Sequence, residues 1–293
     1  MAFVQVVVNG LLNGAAFGLV GAAFAFLFLT TRTLSISLGA LYVLAPYVVL
    51  ASLRLGASLP TAIVCSMLIT ALLAATCEIA IHWPLERKRA STEVHLIGSL
   101  GAYLALVHFG VLVWGPDRLV FRNGLSDVYA LIGLRITHPQ LLAFVCCLMA
   151  SALFWAMVQR TSLGLGLRAL GSNPLLLSTL GRNVQLYRVV AFGVSGAMIG
   201  LAASMTANDV GFDPNVGLSA VLVGFAATVL GGTTSLWGPI AAGVSLGVLR
   251  AALSWTAGAE WVDAGTFLLL VVSLVALPQG FSGGFGRLRR VES

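Results

Sequence analysis

The residues able to support catalysis or metal binding are few in this sequence and poorly spaced for either. His95 and His108 share an apolar segment, but thirteen residues separate them, which turns a helix roughly 220° beyond whole turns. Lys88 lacks the glycine-rich context of a phosphate-binding loop. Ser195 lies in a Gly-x-Ser-Gly tract, yet no histidine follows it along the chain to act as a base. The sequence therefore predicts no catalytic centre, no metal site, no cofactor and no ATP hydrolysis by this chain.

Ionisable side chains are scarce inside the apolar segments. Glu78 and His82 lie four residues apart, a spacing that predicts a hydrogen bond on one helix face. We interpret them as an interfacial pair, with a proton relay as the alternative. Arg54 and Arg250 lie near outer segment ends, where long side chains reach water. This scarcity argues against an ion-coupled carrier, which places such groups near the midplane, but leaves sodium coordination by backbone carbonyls open.

The composition is that of a membrane protein. Of 293 residues, 59% are hydrophobic and 9% are charged, whereas a soluble domain carries roughly 25% charged residues. The basic residues cluster in the gaps 87–89, 160–188 and 287–290, as the positive-inside rule requires of cytoplasmic loops. This placement favours topology over nucleic-acid binding as the reason for the net charge of +6. The four cysteines all lie in apolar segments, with no Cys-x-x-Cys pair.

An all-α bundle with about eight or nine transmembrane spans is the predicted fold, since about 20 apolar residues cross a bilayer as helix. The tract Gly231 to Pro239 interrupts 217–256, so one piece there is predicted to be a half-helix that turns back within the protein. The basic gaps place the N-terminus outside and the C-terminus inside. The predicted spans are 3–29, 36–53, 58–82, 94–114, 139–159, 186–208, 217–231, 237–256 and 261–278.

One outer loop, 115–138, is long and contains Asn123-Gly124, a strong hairpin signal. Such a hairpin could receive a soluble partner, or the loop could be a passive linker. Small residues also recur at four-residue spacing, as at Gly10, Gly14 and Gly18. In lipid such tracts let helix backbones approach closely, which predicts packing within one bundle, with a subunit interface as the alternative.

The segment 160–184 is basic and half apolar, and it lies between two predicted spans. It predicts two short helices at the inner surface, the second capped by Asn173, begun by Pro174 and stopped by Gly181. Leu163, Leu167 and Leu170 are expected on one face of the first helix, and Leu176, Leu177 and Leu180 on one face of the second. Such a face favours a protein partner; the alternative is a helix that lies on lipid.

This segment, "LGLRALGSNPLLLSTLGRNV" (165–184), resembles the cytoplasmic loop of permease subunits in bacterial ABC importers of branched-chain amino acids and related amides. The family's pattern is filled by Arg168-Ala169, Asn173 and Gly181-Arg-Asn-Val184, while Leu177 replaces the family's alanine. The resemblance implies that the segment docks on an ATPase subunit. It implies coupling residues at the following positions: Arg168, Gly171, Asn173, Pro174, Leu180 and Gly181.

Other stretches extend the resemblance along almost the whole chain. "VVNGLLNGAAFGLVGAAFAFLF" (7–28) is similar to the family's first span, and "VLGGTTSLWGPIAAGVSLGVLRAAL" (229–253) to its Leu-Gly-Gly-x-Gly-Ser motif and following helix. The stretch 35–39 departs from the family, because serine and leucine replace its asparagine and histidine or glutamine. The resemblance implies a pathway lined by Ser35, Ser37, Tyr42 and Ser99, less polar here than is typical of the family.

As the resemblance implies, residues 1–293 form a single permease domain in the bacterial inner membrane, working by alternating access. The implied partners are a second permease (identical or related), two ATPase subunits, an extracytoplasmic binding protein and membrane lipid. A secondary carrier that acts without an ATPase and a non-transport scaffold are the alternatives. The solute stays open between a hydrophobic or aromatic amino acid, a small carboxylate and an amide such as urea.

Overall fold

The structure, a computed structural model, describes residues 2–121, 128–131, 134–232 and 237–276. It is a bundle of apolar helices with one small hairpin. The elements are α1 (Ala2–Thr31), α2 (Ser37–Arg54), α3 (Leu59–Cys77), a π-helix (Glu78–His82), α4 (Trp83–Arg87), α5 (Thr92–Trp114), β1 (Val128–Leu131), β2 (Leu134–Thr137), α6 (His138–Arg160), α7 (Ser162–Ser172), α8 (Pro174–Thr179), α9 (Val184–Val210), α10 (Val216–Gly231), α11 (Trp237–Thr256), a 3-10 turn (Ala259–Trp261) and α12 (Val262–Ala276).

The predicted polytopic helical fold is confirmed. Every predicted span corresponds to a helix, and seven helices in the described ranges are long and apolar enough to cross a membrane. The third of these is continuous from Leu59 to Arg87 through the π-helix. The predicted break also forms: α10 ends at Gly231 and α11 begins at Trp237. With 16 residues, α10 is about 24 Å long, shorter than the roughly 30 Å apolar core.

Three helices form the centre of the bundle and others lie around it. Within the 18-residue apolar stretch of each helix, the buried share of residues is 78% in α1, 72% in α2 and 67% in α9. The corresponding share is only 17% in α5 and 28% in α6. Most of the surface of α5 and α6 therefore lies on the outside of the bundle, and both helices are apolar all round, as is typical of membrane-spanning helices. The central helices are held by packing against other helices instead.

The contact between α1 and α11 is made backbone to backbone through glycines of both helices. A Cβ at Gly14 would lie 2.8 Å from the carbonyl oxygen of Val244, and one at Gly18 would lie 2.9 Å from that of Ile240. In return, a Cβ at Gly243 or Gly247 would collide with the backbone of α1. The predicted packing of the small-residue tracts within one bundle is thus confirmed, because the tract on α1 faces the tract on α11.

Side-chain contacts join segments that the predicted topology places on the same side. At one end, Arg32 donates to the carbonyl of Gly171 at 3.3 Å; we call this end, which carries 160–184, the inner end. At the opposite, outer end, Gln5 pairs with the backbone of Arg135 and Thr137 donates to Asp209 at 3.1 Å. These contacts agree with a chain that begins at the outer end.

The loop contains a hairpin, but its strands lie further along the chain than Asn123-Gly124; that predicted turn falls outside the described residues and stays a prediction. β1 and β2 pair antiparallel, with Val128 opposite Thr137 and Leu131 opposite Leu134. A bridge from Leu119 to Phe212 fixes the start of the loop against the α9–α10 connection. The described parts of the loop are therefore attached to the bundle.

We predict that Gly14→Ala destabilises the protein by about 1–3 kcal/mol, because the added methyl group forces the α1 and α11 backbones apart. The matched control is Gly101→Ala, in α5, where a Cβ meets nothing within 4 Å; replacing an exposed helical glycine there should stabilise by about 0.5–1 kcal/mol. Thermal unfolding in detergent measures both. Equal stability of the two variants would contradict the backbone contact.

Candidate coupling surface and solute pathway

The segment 160–184 folds as two short helices, as predicted, and each begins with a side-chain cap. Thr161 accepts a hydrogen bond from the backbone N–H of Gly164 at 3.1 Å at the start of α7. Asn173 accepts from the backbone N–H of Leu176 at 3.0 Å at the start of α8, with Pro174 at its first position. Such caps satisfy N–H groups that a helix leaves unpaired, so the predicted Asn173 cap and Pro174 start are confirmed.

The end of α8 is fixed equally well. Gly181 adopts a φ of +74°, a left-handed conformation that glycine takes without strain. Its N–H donates to the carbonyl of Ser178 at 3.0 Å, and that of Arg182 donates to Leu177 at 3.3 Å. This pair of bonds is the Schellman motif, which confirms the predicted stop at Gly181. The chain therefore leaves α8 in one defined direction.

The leucines divide into an inward and an outward set, and the division differs in part from the prediction. Leu167, Leu170 and Leu177 are buried against the bundle. Leu163, predicted to share a face with Leu167 and Leu170, is instead 52% exposed. Leu177, predicted to share a face with Leu176 and Leu180, is instead buried, whereas those two are exposed. The outward set, exposed by half or more, consists of Leu163, Leu165, Leu175, Leu176 and Leu180.

Burial of Leu177 bears on the departure from the family's alanine. Its side chain is 4% exposed and packs in the main apolar core. It therefore anchors α8 to the bundle and is not on the outward surface. The replacement changes how the segment is seated, while the exposed leucines on either side form the surface that a partner would meet.

Glycines seat α7 closely on three transmembrane helices. A Cβ at Gly164 would collide with the backbone at the end of α6, one at Gly166 with the ring of Tyr187, and one at Gly171 with the carbonyl oxygen of Leu29. Arg168, which is exposed on α7, donates a hydrogen bond to the side-chain oxygen of Gln159 at 3.1 Å. Because Gly171 lies against the backbone at Leu29, α7 packs directly on the inner end of α1.

A cavity of about 390 Å³ lies between this segment and the inner ends of α1, α6 and α11. Arg32 and Arg168 lie in its wall, and its apolar side includes Trp155 and Trp237, whose rings are 5.6 Å apart. Neither arginine has an ion-pair partner in the part of the chain that the structure describes. The inner surface beside α7 is therefore cationic.

The four side chains expected along the pathway fall into two places. Ser35 and Ser37 share a hydrogen bond of 2.7 Å, and Ser99 accepts from the backbone N–H of Ile36 at 3.1 Å. These three serines are at most 1% exposed and pack together near the inner end, where α2 begins. Tyr42 lies apart from them, in the wall of a different cavity that it shares with Thr206 and Arg250.

A buried network of ionisable groups adjoins the serines, and sequence reasoning missed most of it. His82 lies 3.4 Å from the Ser35 hydroxyl through Nε2 and 3.1 Å from His95 through Nδ1. One of the two Nδ1 atoms must carry the hydrogen for that contact to be a hydrogen bond. His95 Nε2 in turn lies 3.7 Å from the carboxylate of Glu86. The chain of contacts thus runs from the buried serines to a half-exposed carboxylate at the inner surface.

The predicted bond between Glu78 and His82 is wrong, because Glu78 pairs with Arg188 of α9 instead. Arg188 donates from Nε to Glu78 at 2.6 Å and lies 3.3 Å from Glu86 through Nη1. Hydrogen bonds between two ionised groups are roughly twice as strong as neutral ones. The signal available in the sequence was the cost of a lone carboxylate in a span, which requires a basic partner.

Arg250 was also misjudged as a side chain that reaches water. It is only 15% exposed and pairs with Asp263 of α12 at 3.0 Å. It further donates to Thr266 at 2.9 Å and to Ser219 at 3.0 Å. Arg54, by contrast, is exposed as expected. Arg250 lies on α11 and Asp263 on α12, so the ion pair joins two helices and has no signal in the local sequence.

We predict that Arg188→Ala destabilises the protein by about 3–5 kcal/mol, because it leaves the carboxylate of Glu78 buried without its counter-charge. The double variant Glu78→Gln with Arg188→Met should regain most of that loss, since no unpaired charge remains. Arg182→Ala, an exposed arginine nearby, is the control. Thermal unfolding in detergent would contradict the prediction if Arg188→Ala and Arg182→Ala melt together.

Sequence comparisons cover nearly the whole chain. The high-affinity branched-chain amino acid transport system permease protein LivH of Salmonella typhimurium is 24% identical over 298 residues, covering 96% of each chain. BraD of Pseudomonas aeruginosa, of the same description, is 24% identical over 296 residues with the same coverage. The autoinducer 2 import system permease protein LsrC of Escherichia coli is 26% identical over 216 residues, which is 73% of this chain and 60% of LsrC.

The family described as branched-chain amino acid transport system / permease component matches residues 6–275. That range contains all of α2 to α11, nearly all of α1 and α12, the segment 160–184 and both arginine pairs. Its members are multi-pass proteins of the cytoplasmic (inner) membrane, in agreement with the seven long apolar helices. This chain belongs to the permease-component family of branched-chain amino acid transport systems.

Proposed function

We propose that the protein is the membrane permease subunit of an ATP-driven importer and that 160–184 is the segment on which a separate ATPase subunit docks. The observation that carries this proposal is the outward set of leucines on a segment whose start and end are both fixed by hydrogen bonds. Leu175 and Leu180 are more than 70% exposed. Together with the cationic surface at Arg168, they offer an apolar and charged face of the kind that a protein cleft fits.

The proposed coupling follows from how α7 is seated. A push on α8 reaches α7 through their shared Asn173 and reaches α1 through the contact of Gly171 with Leu29. Packed helices shift as units between discrete arrangements and do not deform continuously. ATP-driven closure of the ATPases would therefore tilt α1 and the helices packed on it. Alternating access results if the ATPase binds the inward and outward states with different affinity.

The proposed pathway runs through the bundle and includes Ser35, Ser37, Tyr42 and Ser99. The proposed assembly adds a second permease, two ATPases and an extracytoplasmic binding protein, as the family's place in transport systems suggests. LivH and BraD belong to branched-chain amino acid systems, and LsrC belongs to an autoinducer 2 import system. A branched-chain or other hydrophobic amino acid is accordingly the solute that we propose.

The test is co-purification from the native cell in mild detergent, comparing the intact chain with Leu180→Arg. An arginine at this 71% exposed position should abolish ATPase binding, because it places an unpaired charge in the centre of an apolar contact. Mass spectrometry identifies what is bound to each variant. The matched control is Leu55→Arg at the outer end, where the leucine is 89% exposed; it should retain the ATPase.

Two outcomes would overturn the proposal. One is an equal amount of ATPase with Leu180→Arg and with the intact chain, which would remove the docking role of 160–184. The other is solute flux by the purified chain alone in liposomes without any ATPase, which would make the protein a secondary carrier.

A further inference from the structure

Two cavities lie side by side in the outer half and middle of the bundle, between α1, α2, α9, α10, α11 and α12. The larger has a volume of about 690 Å³ and the smaller about 160 Å³. Phe17, Thr206 and Arg250 line both, so these side chains form the partition between them. A ligand bound at this partition would contact the two cavities at once.

The larger cavity contains the charged pair of Arg250 and Asp263. A charge within a span is costly, and such residues mark sites of function more often than sites of packing. The Asp263 carboxylate is 54% exposed and Arg250 only 15%, so the pair faces the open space of the cavity. One positive and one negative group therefore lie 3.0 Å apart in the wall of this cavity.

The pair does not exhaust its hydrogen-bonding capacity. Arg250 has five N–H donors, and three bind Thr266, Ser219 and Asp263, which leaves Nε–H and one Nη1–H. Asp263 accepts both of its bonds, from Ser219 and Arg250, at Oδ1. Among the described residues, Oδ2 has no partner. The free guanidinium hydrogens suit a carboxylate, and the free oxygen suits an ammonium group.

Asn13 adds an uncharged polar group to the same cavity. It lies in the middle of α1 and is half-buried, and its carboxamide has no hydrogen-bond partner within the described ranges. Asn9, one helical turn away, is occupied by Gln5 at 2.9 Å. An amide can donate and accept, so Asn13 can bind either end of a zwitterion.

The smaller cavity is mostly apolar. Its walls include Val20, Val216, Ala220 and Val223, in addition to the ring of Phe17. It begins where the guanidinium of Arg250 lies 5.4 Å from that ring. Charged groups on one side of a partition and an apolar pocket on the other form the arrangement typical of small-molecule sites.

We propose that the two cavities form a site for a zwitterionic amino acid with an apolar side chain. Its carboxylate accepts from Arg250, its ammonium group donates to Oδ2 of Asp263, and its side chain enters the smaller cavity. The inference rests on the proposed transport function and deepens it, because it assigns each part of the proposed solute to named side chains.

The experiment measures binding of radiolabelled L-leucine to the purified full-length chain in detergent. The competitors are L-leucine, L-leucinamide, which lacks the carboxylate, and 4-methylpentanoate, which lacks the ammonium group. Each of the last two should compete about 10- to 100-fold more weakly than leucine, the factor expected for one lost charge-assisted hydrogen bond. Equal competition by all three, or no binding of leucine to the intact chain, would overturn the site.

Variants locate the binding on the chain. Arg250→Gln combined with Asp263→Asn removes both charges and leaves neither unpaired, so the helices stay packed, and leucine binding should fall by at least about 10-fold. Arg54→Gln, an exposed arginine at the outer end of α2, should leave it unchanged. Ala220→Phe fills the smaller cavity. It should weaken the binding of leucine more than the binding of glycine, measured by competition, because glycine has no side chain to enter that cavity. Leucine binding that is indifferent to both variants contradicts the proposal.

The result is separable from that of the docking experiment. Leucine binding that depends on Arg250 and Asp263 in a chain that recruits no ATPase would uphold this site and overturn the importer. If the chain recruits an ATPase but its leucine binding is unchanged by substitution of Arg250 and Asp263, only the proposed site is overturned.

Discussion

The backbone contact between α1 and α11 is the constraint on which the rest of the structure depends. Glycines on both helices let carbonyl oxygens of one approach the Cα atoms of the other, which leaves no side chain between them to yield. Both helices run from the inner cavity, lined by Leu29 and Trp237, to the outer cavity, lined by Asn13 and Arg250. Since a close-packed interface transmits displacement without absorbing it, the proposed docking segment and the proposed solute site belong to one mechanical unit.

Charge placement follows a second constraint, which is the cost of ions in an apolar setting. The buried Arg188 and the partly buried Arg250 each pair with a carboxylate of another helix: Arg188 of α9 with Glu78 of the π-helix, and Arg250 of α11 with Asp263 of α12. Such pairs add little net stability over apolar residues of the same size. Their effect is to specify which helices are neighbours. The inner pair is buried on both sides, whereas the outer pair faces a cavity; this difference is why we propose a binding role for the outer pair alone.

Local features of the segment 160–184 could be predicted from the sequence because the interactions that form them span a few residues. The Asn173 cap, the Pro174 start and the Gly181 stop each depend on a side chain or glycine and a backbone group within five positions. The positions of the leucines were predicted less well. Leu163 turned outward and Leu177 inward, since burial there depends on α1 and α9, which are remote in the chain.

The sequence by itself determined the membrane class, the helical spans, the break before Trp237 and the ends of α8, because hydropathy and capping act over short distances. Only the tertiary structure decided that His82 meets His95, that Glu78 pairs with Arg188 and not with His82, and that Arg250 faces a cavity beside Asp263. The physical reason is that each of these contacts joins two helices whose relative rotation is fixed by the packing of the whole bundle. In a chain where nearly every face is apolar, no periodicity indicates which face a rare polar side chain will meet.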